Sequence, residues 1–300
     1  MISARKTADD TLTLAAIGIA AYVPAVIAHE ALGHGVAALA AGARPVMLTS
    51  CYLSTSGVYP RWIPAGGGIG NLLVGLLSLV ALAMLPATSR PSLRYFFVLV
   101  AAFNLFFAAG YPAYSGIALF GDWAAVIAGL NPAWLYRTLL VIVSVVLYYM
   151  SMVLVAGQLR PLIDPGAPNA RTRLQHITLV PYLAAIAAAA LAASFNPAGW
   201  VTIFTSGIPS AAAAFGLTQM DHFIAIPALH EHGGPTAASE PMGPSQVAIG
   251  PSQLVIRPSQ VPIGLSQVAI GQSLVWIVAS ALTLILFVAL LGHGIRFGPQ

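Results

Sequence analysis

Apolar residues in this chain fall in long blocks rather than at alternate or every-third positions. The blocks match the length needed for a helix to cross a bilayer, about 20 residues. They run near 11–41, 65–86, 93–110, 133–158, 174–194 and 272–292, with glycine, proline and charged residues gathered between them. The pattern predicts an all-α fold, a polytopic transmembrane bundle of six spans. A further run, 199–217, is interrupted by Gly207 and Pro209, so it either crosses as a seventh span or enters and leaves on one side. Residues 244–271 read PSQVAIG, PSQLVIR, PSQVPIG and LSQVAIG, a seven-residue unit that opens on proline in all but the last copy. Those prolines exclude an uninterrupted coiled coil despite the period, and an extended connector is expected. The chain then divides into a three-helix core at 1–130, further membrane helices at 131–217, a loop carrying the repeats at 218–271, and a C-terminal span and tail at 272–300.

Composition sharpens the class. The chain is 58% hydrophobic and 7% charged, against roughly 25% charged for soluble domains. Its basic residues are scattered arginines plus Lys6, so nucleic acid is not an expected partner; the lipid bilayer is. With the N-terminus in the cytoplasm, Arg5, Lys6, Arg90, Arg94, Arg160, Arg171 and Arg173 lie inside and Arg44, Arg61 and Arg137 outside, as the positive-inside rule requires. An integral protein of the cell membrane is therefore expected, and its oligomeric state is not readable. A single cysteine, Cys51, excludes an intrachain disulfide and a multi-cysteine zinc site.

Candidate chemistry sits at the end of the first span, in "AVIAHEALGHGVAALAAG". Glu30 lies inside that span and Asp122 shortly after the third, and carboxylates at such depth usually face a protein interior and carry function. A helix from Thr11 rises about 1.5 Å per residue, which puts His29 roughly 27 Å along a core about 30 Å thick. The chain returns through the second span and comes forward again through the third, so Asp122 emerges on the side of His29 and His34. A catalytic zinc site takes three ligands from His, Asp or Glu and keeps a position for water. Glu30 is the candidate base that takes the water's proton.

The spacing poses a geometric question. His29 and His34 are five residues apart, about 140° around a regular helix, where an i,i+4 pair is only about 40° apart. A π-type bulge would bring the two imidazoles together, and Gly33 and Gly35 ease such a distortion. On a regular helix, Glu30 and His34 would instead pair at i,i+4.

"HEALGHGVAALAAG", a later span carrying Asn104 and the Asp of "GDW" resemble the site-2 protease group of intramembrane zinc metalloproteases. The resemblance covers about residues 11–130. It implies one Zn²⁺ held by His29, His34 and Asp122, Glu30 as general base, Asn104 as an amide touching substrate or transition state, and a hydrophobic or membrane-associated substrate. The chain differs from that group in the extra residue of the first motif, in Trp123 after Asp122, and in having no inserted peptide-binding domain. The spacing His-Glu-x-x-Gly-His is locally similar to the zinc motif of the dipeptidyl peptidase III family. A peptidase is the expected hydrolase. A metal-dependent enzyme of biosynthetic type, a metal or proton transporter, and a catalytically inactive relative serving as a membrane scaffold are the alternatives.

The segment "GYPAYSGIALFGDW" (110–123) reads either as irregular backbone lining a cavity or as an ordinary loop entry. Tyr111, Tyr114 and Ser115 there are either substrate contacts or interfacial anchors. A second polar cluster, Asp221, His222, His230, Glu231 and His232, could cap the metal site only if 199–217 does not cross. His176 and His293 read as interfacial.

Overall fold

The computed structural model describes residues 8–86, 88–226 and 269–298. Lys6, Arg257, the His230–His232 cluster and all but the last residues of the heptapeptide repeats lie outside them. The fold is mostly helical, with six helices long and apolar enough to cross a membrane: Thr11–Ala40, Trp62–Met84, Pro91–Ala118, Ala133–Leu162, Ala170–Ser194 and Leu274–Gly292. The first comprises α1 (Thr11–Ile27), a π-helical segment (Ala28–Gly35) and α2 (Val36–Ala40). There follow α3 (Trp62–Met84), α4 (Pro91–Ala118), the short α5 (Asp122–Ile127), α6 (Ala133–Leu159) and α7 (Ala170–Ser194).

The interrupted run is a broken helix. It starts as a π-turn at Ile203–Gly207, continues as α8 (Ile208–Ala212) and tightens into a 3₁₀ stretch, Ala213–His222. It runs back along α7: Thr202 Oγ1 donates to Ala193 O at 3.1 Å near the C-terminus of α7, and Asp221 reaches Arg171 at 4.0 Å near its N-terminus. It therefore traverses the bundle. Accordingly α9 (Leu274–Leu286) starts beside the start of α1, where Ser273 N donates to Thr13 Oγ1 at 3.0 Å. The two run parallel, tied by Ser280 Oγ donating to Ala16 O at 2.7 Å. Asp10 caps α1 by accepting from Thr13 N at 2.8 Å, and Asp9 pairs with Arg173 at 2.8 Å, which holds the α1 and α7 starts together.

A small three-stranded sheet at the opposite end adds to the all-helical expectation. Strands β1 (Arg44–Leu48) and β2 (Leu53–Ser56) form an antiparallel hairpin, and β3 (Ile295–Arg296) pairs with the other edge of β1, giving the order β2-β1-β3. Its strands have two to five residues, too short to register as periodic runs. The helix of the third span also outruns its apolar block: it continues through Pro112 to Ala118, fastened to α6 by Arg137 Nε donating to Gly116 O at 2.9 Å. Only at Leu119, with φ 57°, does the chain turn left-handed and stop.

Inside the bundle Tyr22 is fully buried and meets Phe103, Phe107 and Phe287 edge-on at 6.0–6.1 Å. Lipid offers no hydrophobic drive to helix association, so such van der Waals packing holds the spans together. Each edge-on aromatic pair adds about 0.5–1.5 kcal/mol.

Candidate metal centre

The first span does bulge. Ala28–Gly35 is π-helical, with hydrogen bonds closing over five residues instead of four. That is the separation of His29 and His34, whose rings stand 4.8 Å apart and at 88° to each other. The Glu30–His34 pairing expected on a regular helix does not form. His34 turns its Nδ1 to Ile63 O at 2.9 Å and its Nε2 to Asp122, while Glu30 Oε2 has no hydrogen-bond partner among the described residues.

Glycines of α3 make this distortion affordable. Gly66 and Gly70 face Gly33 of the bulge backbone to backbone, the small-xxx-small arrangement of close membrane helices. Gly67 lies under the imidazoles: a Cβ there would fall 2.6 Å from His34 Nε2 and 2.7 Å from His29 Nε2. The site thus needs bare backbone at 67.

Asp122 arrives at the N-terminus of α5, after Gly121 at φ 86°. Its Oδ2 lies 3.0 Å from His29 Nε2 and 3.2 Å from His34 Nε2, and the candidate ligand atoms of the three residues all fall within 4.8 Å of one another. Burial alone would raise the Asp122 carboxyl, but the two imidazoles outweigh it and hold the group well below the usual carboxylate range.

The ring tautomers follow from their other partners. Asn71 spends both amide hydrogens on oxygens, Ala25 O at 2.8 Å and Asn104 Oδ1 at 2.9 Å, so it turns Oδ1 to His29 Nδ1 at 2.8 Å. Oδ1 can only accept, and so can Ile63 O opposite His34 Nδ1. Both Nδ1 atoms therefore carry hydrogen, and each ring turns its Nε2 to Asp122. Each Nε2 stands 3.0–3.2 Å from the same Asp122 Oδ2, a convergence that a proton on each ring or one shared cation satisfies. The spacing suits ligands about 2.0–2.1 Å from one tetrahedral ion, and imidazoles tied back through Nδ1 are the usual support for such ligands. His29, His34 and Asp122 are therefore a group able to hold a metal ion, and the donors fit zinc.

Asn104 is placed differently from what the resemblance implies. It is fully buried, donates to Val100 O at 2.8 Å and accepts from Asn71, so it supports His29 at one remove and does not line the cavity. The cavity is about 440 Å³ and takes in His29, Glu30, His34 and Asp122, with the hairpin residues Cys51 and Tyr52 and residues 205–213 of the broken helix on its other walls. Tyr111 belongs to it as well, with its ring 5.5 Å from that of His29 and its hydroxyl 3.4 Å from Asp122 N. Burial pushes the Cys51 thiol up to about 11. Asp221 and His222 stand at the other end of the bundle beside Arg171 and do not cap the site. Asn71 and the glycines of α3 went unread in the sequence, although a lone amide in the middle of an apolar span marks a buried polar contact.

Comparison with protein-family models, curated proteins and solved structures finds no match to this chain. What stands without them is a multi-span helical membrane protein with a His/His/Asp group at one end of its bundle.

Proposed function

We propose that this protein is a membrane-embedded, zinc-dependent hydrolase of the site-2 protease type, cleaving a peptide bond in a hydrophobic or membrane-associated substrate. The observation that carries the reading is the convergence of three potential ligand atoms from His29, His34 and Asp122 beside a buried carboxylate whose Oε2 has no hydrogen-bond partner among the described residues. A divalent zinc ion bound there polarises a carbonyl and eases deprotonation of water near neutral pH. Glu30 takes the proton from the attacking water and passes it to the departing amine nitrogen as the carbon–nitrogen bond breaks. Asn71 and Ile63 O keep both imidazoles facing Asp122. Tyr111, on the cavity wall, can donate its hydroxyl hydrogen to a substrate oxygen, the part Asn104 is too deeply buried to play. The hairpin and the broken helix supply the other walls of the cavity.

The test is elemental analysis of the purified full chain as wild type, His34→Ala and Glu30→Gln, with cleavage of a panel of membrane-spanning peptides. Stoichiometric zinc is expected in wild type and Glu30→Gln but not in His34→Ala, and cleavage in wild type alone. Absence of stoichiometric metal, or full cleavage by Glu30→Gln, overturns the reading. Stoichiometric iron instead would redirect it to oxygen chemistry, which two histidines and a carboxylate also support.

A further inference from the structure

A second cavity, about 330 Å³, lies between α3, α4 and α6. It shares a wall with the metal group, since Gly67 underlies the imidazoles and Gly68, the next residue, underlies the Trp123 indole. Its walls are apolar, including Leu72, Leu140 and Leu147, and it opens outward at Ile69 and Val143, each about half exposed at 49%. One polar atom stands out. The Trp123 Nε1–H is buried with no acceptor among the described residues. An unpaired N–H in an apolar setting is costly, and hydrocarbon alone cannot satisfy it.

Length and depth narrow the occupant. On α6 the groove extends from Tyr136 to Leu147, about 16 Å of helix, close to the roughly 15 Å that one leaflet contributes to the hydrocarbon core. Trp123 and Tyr136 mark its mouth at the metal-site end of the bundle, the depth at which aromatic residues meet the headgroup region. A lipid's ester carbonyl sits at that level with its chain running inward. A transmembrane helix would present carbonyls already spent on its own hydrogen bonds.

We infer that the groove between α3, α4 and α6 is a lipid site, holding one acyl chain of a glycerophospholipid whose ester carbonyl accepts the Trp123 indole hydrogen. This inference does not depend on the hydrolase reading.

The full chain is reconstituted in phosphatidylcholine vesicles carrying a photoactivatable acyl chain, and labelled residues are mapped by mass spectrometry. Unlabelled ester-linked and ether-linked phosphatidylcholines serve as competitors. Labelling should concentrate on 69–72 and 139–147, and the ester lipid should compete roughly three- to tenfold better than the ether lipid, the scale of one hydrogen bond. Trp123→Phe should abolish that preference while keeping the helical circular dichroism and melting temperature of the wild type, which shows it is folded, and Leu140→Trp should block the groove and its labelling. Labelling no denser than on the lipid-facing side of α9, at Leu282 and Ile285, overturns the inference. So does an ester preference unchanged in Trp123→Phe. Displacement of the photolipid by an apolar transmembrane peptide, with ester and ether lipids competing alike, would assign the groove to a peptide instead.

Discussion

Replacing Gly67 with alanine tests the metal centre through one methyl group. That carbon would lie 2.6 Å from His34 Nε2 and 2.7 Å from His29 Nε2, and an ordinary contact of about 3.5 Å requires movement of about 0.9 Å. Two responses are open. The imidazoles can move, but metal–ligand distances tolerate only about 0.2 Å. Alternatively α3 can retreat, but Gly66 and Gly70 already rest on the bulge at Gly33, and a gap of about 0.5–1 Å forfeits a quarter to a half of each contact's attraction. Either response should weaken zinc binding at least a hundredfold, about 2.8 kcal/mol. The assay is competition against a chromophoric chelator on purified full-length protein, with the ligand-field spectrum of the cobalt form reporting geometry. Gly157→Ala is the control, because a Cβ there meets nothing within 4 Å. Stoichiometric binding with unchanged affinity in Gly67→Ala would refute the placement of α3 beneath the histidines.

Three further outcomes are expected. Asn71→Leu should lower metal affinity by roughly 10- to 100-fold, the usual cost of losing a ligand's supporting partner, and Asn104→Leu should lower it less; chelator competition ranks the two, and the reverse order would break the proposed relay. Cys51 should react with N-ethylmaleimide at pH 8 roughly two hundred times more slowly than a free thiol of pKa about 8.5, because its thiol is pushed up to about 11. Its rate should then rise about tenfold per pH unit up to that value, and labelling at pH 8 as fast as a free thiol's would contradict the burial. In a Cys51→Ser background, His222→Cys should label from the side of the N-terminus and Val58→Cys from the opposite side; labelling of both from one side would exclude the crossing by residues 203–222.

How much of this was legible in the sequence depends on what kind of interaction fixed each part. The spans were readable because a run of apolar residues is itself the cause of membrane insertion, and each observed helix falls within a few residues of its block except where α4 continues through Pro112. That Asp122 emerges on the side of the histidines was readable from the parity of crossings; that the three converge came from the resemblance, not from parity. The hairpin was not, since β1 finds its second partner in Ile295–Arg296, almost the whole chain away, and its few residues carry no periodic signal.

The glycines of α3 show why the site's support was harder to read than its ligands. In isolation Gly66, Gly67, Gly68 and Gly70 weaken a helix, by about 1 kcal/mol each relative to alanine in water, so a local reading counts them as a defect. Their contribution is made to another helix. The bulge at Ala28–Gly35 swings two imidazoles toward α3, and only backbone without side chains can come close enough to seat Gly33 while leaving room for both rings at Gly67. The motif's extra residue and the glycine run are thus two halves of one packing solution. A regular helix at 28–35 would leave the run without a partner, and alanines at 66–70 would leave the bulge no room. The spacing that departs from the common zinc signature therefore belongs with the "GGGIG" of the second span, and the two should be altered together in any attempt to restore a regular His-Glu-x-x-His helix.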